Sequence, residues 1–121
     1  MMASILVVED DADVAGLISF RLSASGHDVV VAPDGQAGVA AAHERAPDVI
    51  ILDWMMPVKT GIEVCEELRA HAAFAGTKIM MLTARARDAD VERARAAGAD
   101  DYMTKPFSPR DLLARVERLI A

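Results

Sequence analysis

Four short apolar runs punctuate the chain: ILVV at 5–8, VVV at 29–31, VIIL at 49–52 and IMML at 79–82. None of them alternates. A continuous apolar run of this length predicts a strand buried on both faces, the habit of a parallel sheet flanked by helices. Tyr102-Met103, just ahead of Thr104-Lys105-Pro106, is a weaker fifth strand. The segments between the runs read as helices. Val14, Leu17, Ile18 and Leu22 fall on one helical face. Leu112, Leu113, Val116, Leu119 and Ile120 form the clearest stripe, opened by Ser108 as a cap and Pro109 in the first turn. Asp111 stands where a capping-box acid would, although Glu or Gln is usual there. The alanine-rich segment between Val31 and Val49 is helical by propensity but has a poor apolar face. Gly26, Gly98 and Pro47 lie where helices should stop. The order is βα repeated five times, with right-handed crossovers placing helices on both faces. The expected fold is α/β, a three-layer doubly wound (βα)5 sandwich. It fills residues 1–121 as a single domain, with no linker, repeat or effector domain visible in the sequence.

Composition narrows the class. The chain has 121 residues, 53% of them apolar, enough for a core without covalent staples. Cys65 is its one cysteine, so no internal disulfide forms, and a single thiol fits a reducing cytoplasm. The opening MMAS carries no basic residue, and the run at 5–8 is too short for a signal peptide or a membrane span. A soluble cytoplasmic protein without membrane association is expected. The net charge of −6 disfavours direct nucleic-acid binding, which needs cations against phosphates.

The chemistry gathers where the strands end. In an open α/β sheet, ligands bind beyond the carboxyl ends of the strands. The first run ends in Glu9, Asp10 and Asp11, the third in Asp53, the fourth in Thr83 and the fifth in Lys105. Like charges on one rim repel; at an effective dielectric near 20, a pair about 5 Å apart costs about 3 kcal/mol. Such clustering is explained by a hard cation, and Mg²⁺ takes oxygen ligands from one or two carboxylates plus water. His27, His43, His71 and Cys65 are scattered through the chain, which argues against zinc. Lys105 and Thr83 beside such a site suit a phosphoryl group. There is no GxxxxGK[ST] loop for a nucleotide, and the acidic loop after the first strand would repel a flavin phosphate. Asp53 itself can be the nucleophile, forming an aspartyl phosphate.

In order and spacing, VVEDD, LDWMMP, MLTAR and GADDYMTKPF resemble the receiver domain of two-component response regulators over essentially the whole chain. The pattern is nearest to receivers carrying winged-helix transcription effectors. The resemblance implies a flavodoxin-like five-stranded parallel sheet of order 2-1-3-4-5. It makes Asp53 the phosphoacceptor, with Glu9, Asp10, Asp53 and the backbone carbonyl of Met55 around Mg²⁺ (or Mn²⁺ in its place), Glu9 acting largely through water. Lys105, with a cis bond to Pro106, holds phosphoryl oxygens. Thr83 binds one of them, and Tyr102 swings inward as the switch. The implied partners are a sensor histidine kinase or phosphotransfer protein as donor, and an effector domain or partner protein as target. The fourth helix, fifth strand and fifth helix are the responding surface, where such receivers dimerise through charge pairs for which Asp100, Asp101, Asp111 and Arg115 are candidates. Val91 stands where that subfamily often has an arginine, and Lys59 where an apolar or small residue is expected.

Plainer readings accompany these. Asp11 and Asp13 suit the first turn of a helix. Trp54 reads as a partly exposed loop aromatic, Cys65 as an ordinary helix residue, and Met55, Met56, Met80 and Met81 as packing. Arg85 and Arg87 read as solvated, with Arg85 near enough to tune access to the site. Two other function classes remain open. A Mg²⁺-dependent aspartyl phosphatase commonly has a second acid two residues after its nucleophile, where this chain has Met55. A non-phosphorylated receiver-like binding module usually loses the acid pair, the aspartate or the lysine, and this chain keeps them all. The chain reads equally as a stand-alone receiver, a relay intermediate or the receiver of a longer protein.

Overall fold

The apolar runs become the strands β1 (Ser4–Val8), β2 (Asp28–Ala32), β3 (Val49–Asp53), β4 (Lys78–Thr83) and β5 (Asp101–Thr104). They alternate with helices α1 (Ala12–Ala24), α2 (Gly35–Arg45), α3 (Gly61–Arg69), α4 (Asp88–Ala97) and α5 (Pro109–Ile120), and a 3₁₀ turn, Ala72–Phe74, precedes β4. The computed structural model describes residues 2–84 and 87–121, so Arg85 lies outside the described residues. The sheet has the order β2-β1-β3-β4-β5, and every pairing is parallel. This is the expected doubly wound, flavodoxin-like arrangement. Among the described residues, no helix is long and apolar enough to cross a membrane.

Two cores follow from the period of a strand, whose successive side chains point to opposite faces. Leu6, Val8, Ile50, Leu52, Ile79 and Met81 pack on one face beneath α2, α3 and α4. Ile5, Val7, Ile51, Met80 and Leu82 pack on the other against Ile18 and Leu22 of α1 and Leu112 and Val116 of α5. The central residues of β1, β3 and β4 are therefore apolar on both faces, as continuous runs require. β2 departs from that expectation. It is an edge strand, Val29 and Val30 are half-buried, and Val31 is 42% exposed.

The helix signals hold with one shift. Ser108 accepts a hydrogen bond from Asp111 N–H at 3.4 Å, with Pro109 opening α5. Asp11 caps α1 through Asp13 N–H and Val14 N–H, the plain reading of that acid. α1 buries Ala15, Ile18 and Leu22, while Leu17 of the predicted stripe is 48% exposed. The poor apolar face of α2 has a steric reason. A Cβ at Gly38 would stand 2.8 Å from both methyls of Val8, so the helix lies flush on β1 through glycine and alanine. Gly98 closes α4 at φ +108°, a left-handed conformation that glycine adopts without strain.

Candidate functional site

Because all five strands are parallel, their carboxyl ends open on one rim. β1 delivers Glu9 and Asp10, β3 ends on Asp53, β4 on Thr83, and Lys105 follows β5. One carboxylate oxygen each from Glu9, Asp10 and Asp53 lies within 4.8 Å of the others. Glu9 and Asp53 are buried, and Asp10 is exposed. Lys105 Nζ stands 2.6 Å from Glu9 Oε1 and 3.3 Å from Asp53 Oδ1. The lysine main chain is anchored as well. Its N–H donates to Thr83 O at 2.7 Å, and the Lys105–Pro106 bond is cis, as the resemblance implied.

Two local features hold Asp53 in place. Trp54 N–H donates to Leu82 O, which carries the β3–β4 pairing one residue past the aspartate. α3 then starts against the end of the strand: a Cβ on Gly61 would lie 2.5 Å from Asp53 O, so only glycine fits. Thr60 and Glu63 close a capping box on that helix.

The two buried acids share one environment but titrate apart. Burial pushes Glu9 up to about 7, and the hydrogen bond with Asp53 adds to it against the pull of Lys105. Burial also acts on Asp53, but the Glu9 hydrogen bond and the Lys105 charge outweigh it and hold Asp53 below the usual aspartate range. Lys105 loses something to burial and gains more from Glu9 and Asp53, ending above its usual value. Burial and the shared hydrogen bond thus separate the pair, raising Glu9 and leaving Asp53 the more readily ionised of the two beside an ammonium. Three oxygens converging beside a lysine, with no nitrogen or sulfur ligand among them, are a donor set for a hard divalent cation.

The remaining predicted residues divide. Thr83 is fully buried at the end of β4. Tyr102 is half-buried, with its ring perpendicular to Trp54 at a centroid distance of 6.3 Å. Trp54 corrects the sequence expectation: it is 8% exposed and belongs to the core, because the extended β3–β4 pairing carries it inward. Met55, expected as packing, is 54% exposed in the following loop, whereas Met56, Met80 and Met81 are buried. Cys65 is buried, donates to Ala97 O, and is pushed up to about 11 by that burial. Lys59, where an apolar or small residue was expected, pairs with Glu67 of α3 and closes over Gly35.

The four charged candidates for an interface do not join the rim. Asp100 sits at the amino end of the sheet, accepting from Ile79 N–H and Arg69 Nη2. Arg115 Nη1 donates to Asp101 Oδ1 and Tyr102 O, both at 3.0 Å, and Asp111 sits in the first turn of α5. Three contacts escaped the sequence reading: Glu9 with Lys105, Trp54 with Tyr102, and Arg69 with the α4–β5 junction. The first had a signal, since Lys105 is the one cation among the strand-end groups.

Fold and rim together define a flavodoxin-like α/β protein whose crevice is acidic and not built for a nucleotide phosphate. Comparison makes this specific. Residues 5–117 match the response regulator receiver domain family. The chain is 43% identical over 120 residues to the alkaline phosphatase synthesis transcriptional regulatory protein PhoP of Bacillus subtilis, covering 99% of this chain and 49% of PhoP. It is 44% identical over 116 residues to the DNA-binding response regulator MtrA of Mycobacterium tuberculosis, covering 96% of this chain and 50% of MtrA. The solved structure of the chemotaxis response regulator CheY4 of Vibrio cholerae superposes with a TM-score of 0.93 at 34% identity, over 98% of this chain and 99% of that one. The chain belongs to the response regulator receiver domain family, the phosphorylation-activated switches of bacterial two-component signalling. It spans about half the length of the curated relatives it matches.

Proposed function

We propose that Asp53 is the phosphoacceptor and that the rim residues serve its phosphorylation. The observation that carries this reading is the contact of Lys105 Nζ with Asp53 Oδ1 at 3.3 Å, inside a convergence of three carboxylates. Asp53, held ionised, attacks phosphorus with a carboxylate oxygen. The bond from phosphorus to the donor, a phosphohistidine nitrogen or the acyl oxygen of a small acyl phosphate, breaks, and the leaving group departs with its electron pair. Asp10, Asp53 and the Met55 carbonyl would hold Mg²⁺, with Glu9 acting through water, and Mn²⁺ would be an acceptable substitute. When bound, the cation neutralises charge on the phosphoryl oxygens. Lys105 moves from Glu9 and Asp53 to a phosphoryl oxygen, and the Thr83 hydroxyl takes another.

The switch follows from differential contact, since a ligand shifts an equilibrium only by binding one state better. Thr83 and Lys105 draw toward the new acceptors, and Tyr102 follows in its contact with Trp54. The α4-β5-α5 surface then changes for dimerisation or partner binding, with Asp100, Asp101, Asp111 and Arg115 as the charges available for exchange. A sensor histidine kinase or phosphotransfer protein in the cytoplasm is the donor. PhoP and MtrA, transcriptional and DNA-binding proteins about twice as long, support an effector domain as the target, and the net charge of −6 supports a receiver that itself touches no nucleic acid. The domain catalyses its own phosphorylation and dephosphorylation only.

The test is intact mass after Mg²⁺ and acetyl phosphate, with Trp54 fluorescence read alongside. One phosphoryl group should add to the wild type and none to Asp53→Asn. An unchanged wild-type mass, or a phosphoryl group on Asp53→Asn, would overturn the assignment.

A further inference from the structure

The fold brings together two histidines that stand far apart in the sequence. His43 is in the last turn of α2, and His71 follows α3 as the residue before the 3₁₀ turn. Their ring centroids are 5.0 Å apart and the ring planes are perpendicular, at 89°. Both residues are exposed, at the opposite end of the sheet from the acidic rim. Among the described residues, neither imidazole makes a hydrogen bond or an ion pair, so their ring nitrogens are free for an external ligand. The third histidine offers no such choice. The His27 side chain is fully buried, and its Nδ1 accepts from Ala3 N–H at 3.1 Å.

The spacing suits one metal ion between two imidazoles. With metal–nitrogen bonds near ~2.0–2.1 Å and roughly 1.1 Å from nitrogen to ring centroid, each centroid stands about 3.2 Å from the ion, and two imidazoles at ~90–109° have centroids about 4.5–5.2 Å apart. The observed 5.0 Å lies inside that range. Both ends are also held. Phe74 supports the pair from beneath, 5.0 Å from the His43 ring and 6.5 Å from the His71 ring. His71 is fixed through its main chain, its N–H donating to Leu68 O and its carbonyl accepting from Phe74 N–H. The outer torsion of each ring is broad for histidine, so each imidazole can turn a nitrogen toward a shared ion.

We propose that His43 and His71 form a second metal site, distinct from the acidic rim, that takes a borderline transition-metal ion such as Cu²⁺, Ni²⁺ or Zn²⁺. Imidazole nitrogens select these ions over Mg²⁺, and Cu²⁺ should bind tightest. A bound ion ties α2 to the end of α3 and leaves its other coordination positions to water.

The experiment is a titration of the full chain with Cu²⁺ in the presence of excess Mg²⁺, read by electron paramagnetic resonance, with Zn²⁺ titrated by calorimetry. The wild type should bind one Cu²⁺ with imidazole-nitrogen hyperfine structure. His43→Gln and His71→Gln should each weaken both metals at least about tenfold, because each removes half of the ligand set. Metal-free thermal melts and phosphorylation by acetyl phosphate should match the wild type, which separates lost ligation from lost folding. Wild-type affinity in either variant, a nitrogen-free Cu²⁺ spectrum, or no binding to the wild type would overturn the proposal. The site does not depend on the Asp53 chemistry, so the two readings fail independently.

Discussion

Glu9 shows how a residue's chemistry depends on partners remote in sequence. Its usual carboxyl value of 4.5 rises to about 7 in the fold, largely through burial. Between those two pH values the folded state keeps a proton that the unfolded chain has lost. Stability of the metal-free protein should therefore fall as pH rises from 4.5 to about 7, by on the order of 1–3 kcal/mol, and level off above. Asp53 acts with the opposite sign: held below its usual value, it stabilises at neutral pH and loses that contribution in acid. Urea unfolding across this range, compared between wild type and Glu9→Gln, isolates the Glu9 contribution, and the variant should lack the decline. Val58 is the second informative residue. It is fully exposed at φ +69°, a left-handed conformation that a β-branched side chain resists. Val58→Gly should raise unfolding stability by about 1 kcal/mol, the relief of strain exceeding the entropy glycine adds to the unfolded chain. Asp10, Asp53 and Lys105 were legible in the sequence because each lies at, or within two residues of, the end of a strand that its own residues define. The upward shift of Glu9 was not, because it comes from burial in the folded rim and from Asp53 on another strand.

At the scale of elements, local pattern carried the strands and most helix ends. It misjudged contacts that need a neighbour. β2 reads like a central strand and is an edge, since three valines in a row carry no information about who pairs with them. Leu17 fits the α1 stripe and faces solvent, because the buried arc is set by β2 and α5, the elements α1 packs against. Arg69 was unreadable for the same reason. Its guanidinium donates to Gly98 O, Phe74 O and Asp100 Oδ2, joining the end of α3 to the 3₁₀ turn and the α4–β5 junction. Arg69→Ala strips three charge-assisted bonds and uncovers Gly98, and should destabilise the protein by about 2–4 kcal/mol. Chemical denaturation measures the loss, and hydrogen exchange should show the earliest opening at the amide protons of Ile79 and Ala99.

For the whole molecule, the acidic rim gathers like charges whose repulsion a bound cation would offset. Mg²⁺ at a hundredfold excess over its dissociation constant should raise stability by about 2.7 kcal/mol, and Asp10→Asn should remove most of the gain in a thermal melt. Thr83→Ala should still gain one phosphoryl group by intact mass but give a smaller Trp54 response, since the acceptor remains while a contact of the switched state is gone. The sequence by itself determined the parallel α/β class, the five strands, the Asp11 and Ser108 caps, and the acids and lysine that close the strands. These depend on periodicity and on residues a few positions apart. Only the tertiary structure decided which acid is raised and which lowered, where Trp54 lies, what Lys59 and Arg69 hold, and that His43 meets His71. Each of these depends on the distance between side chains from different elements, which no local pattern encodes.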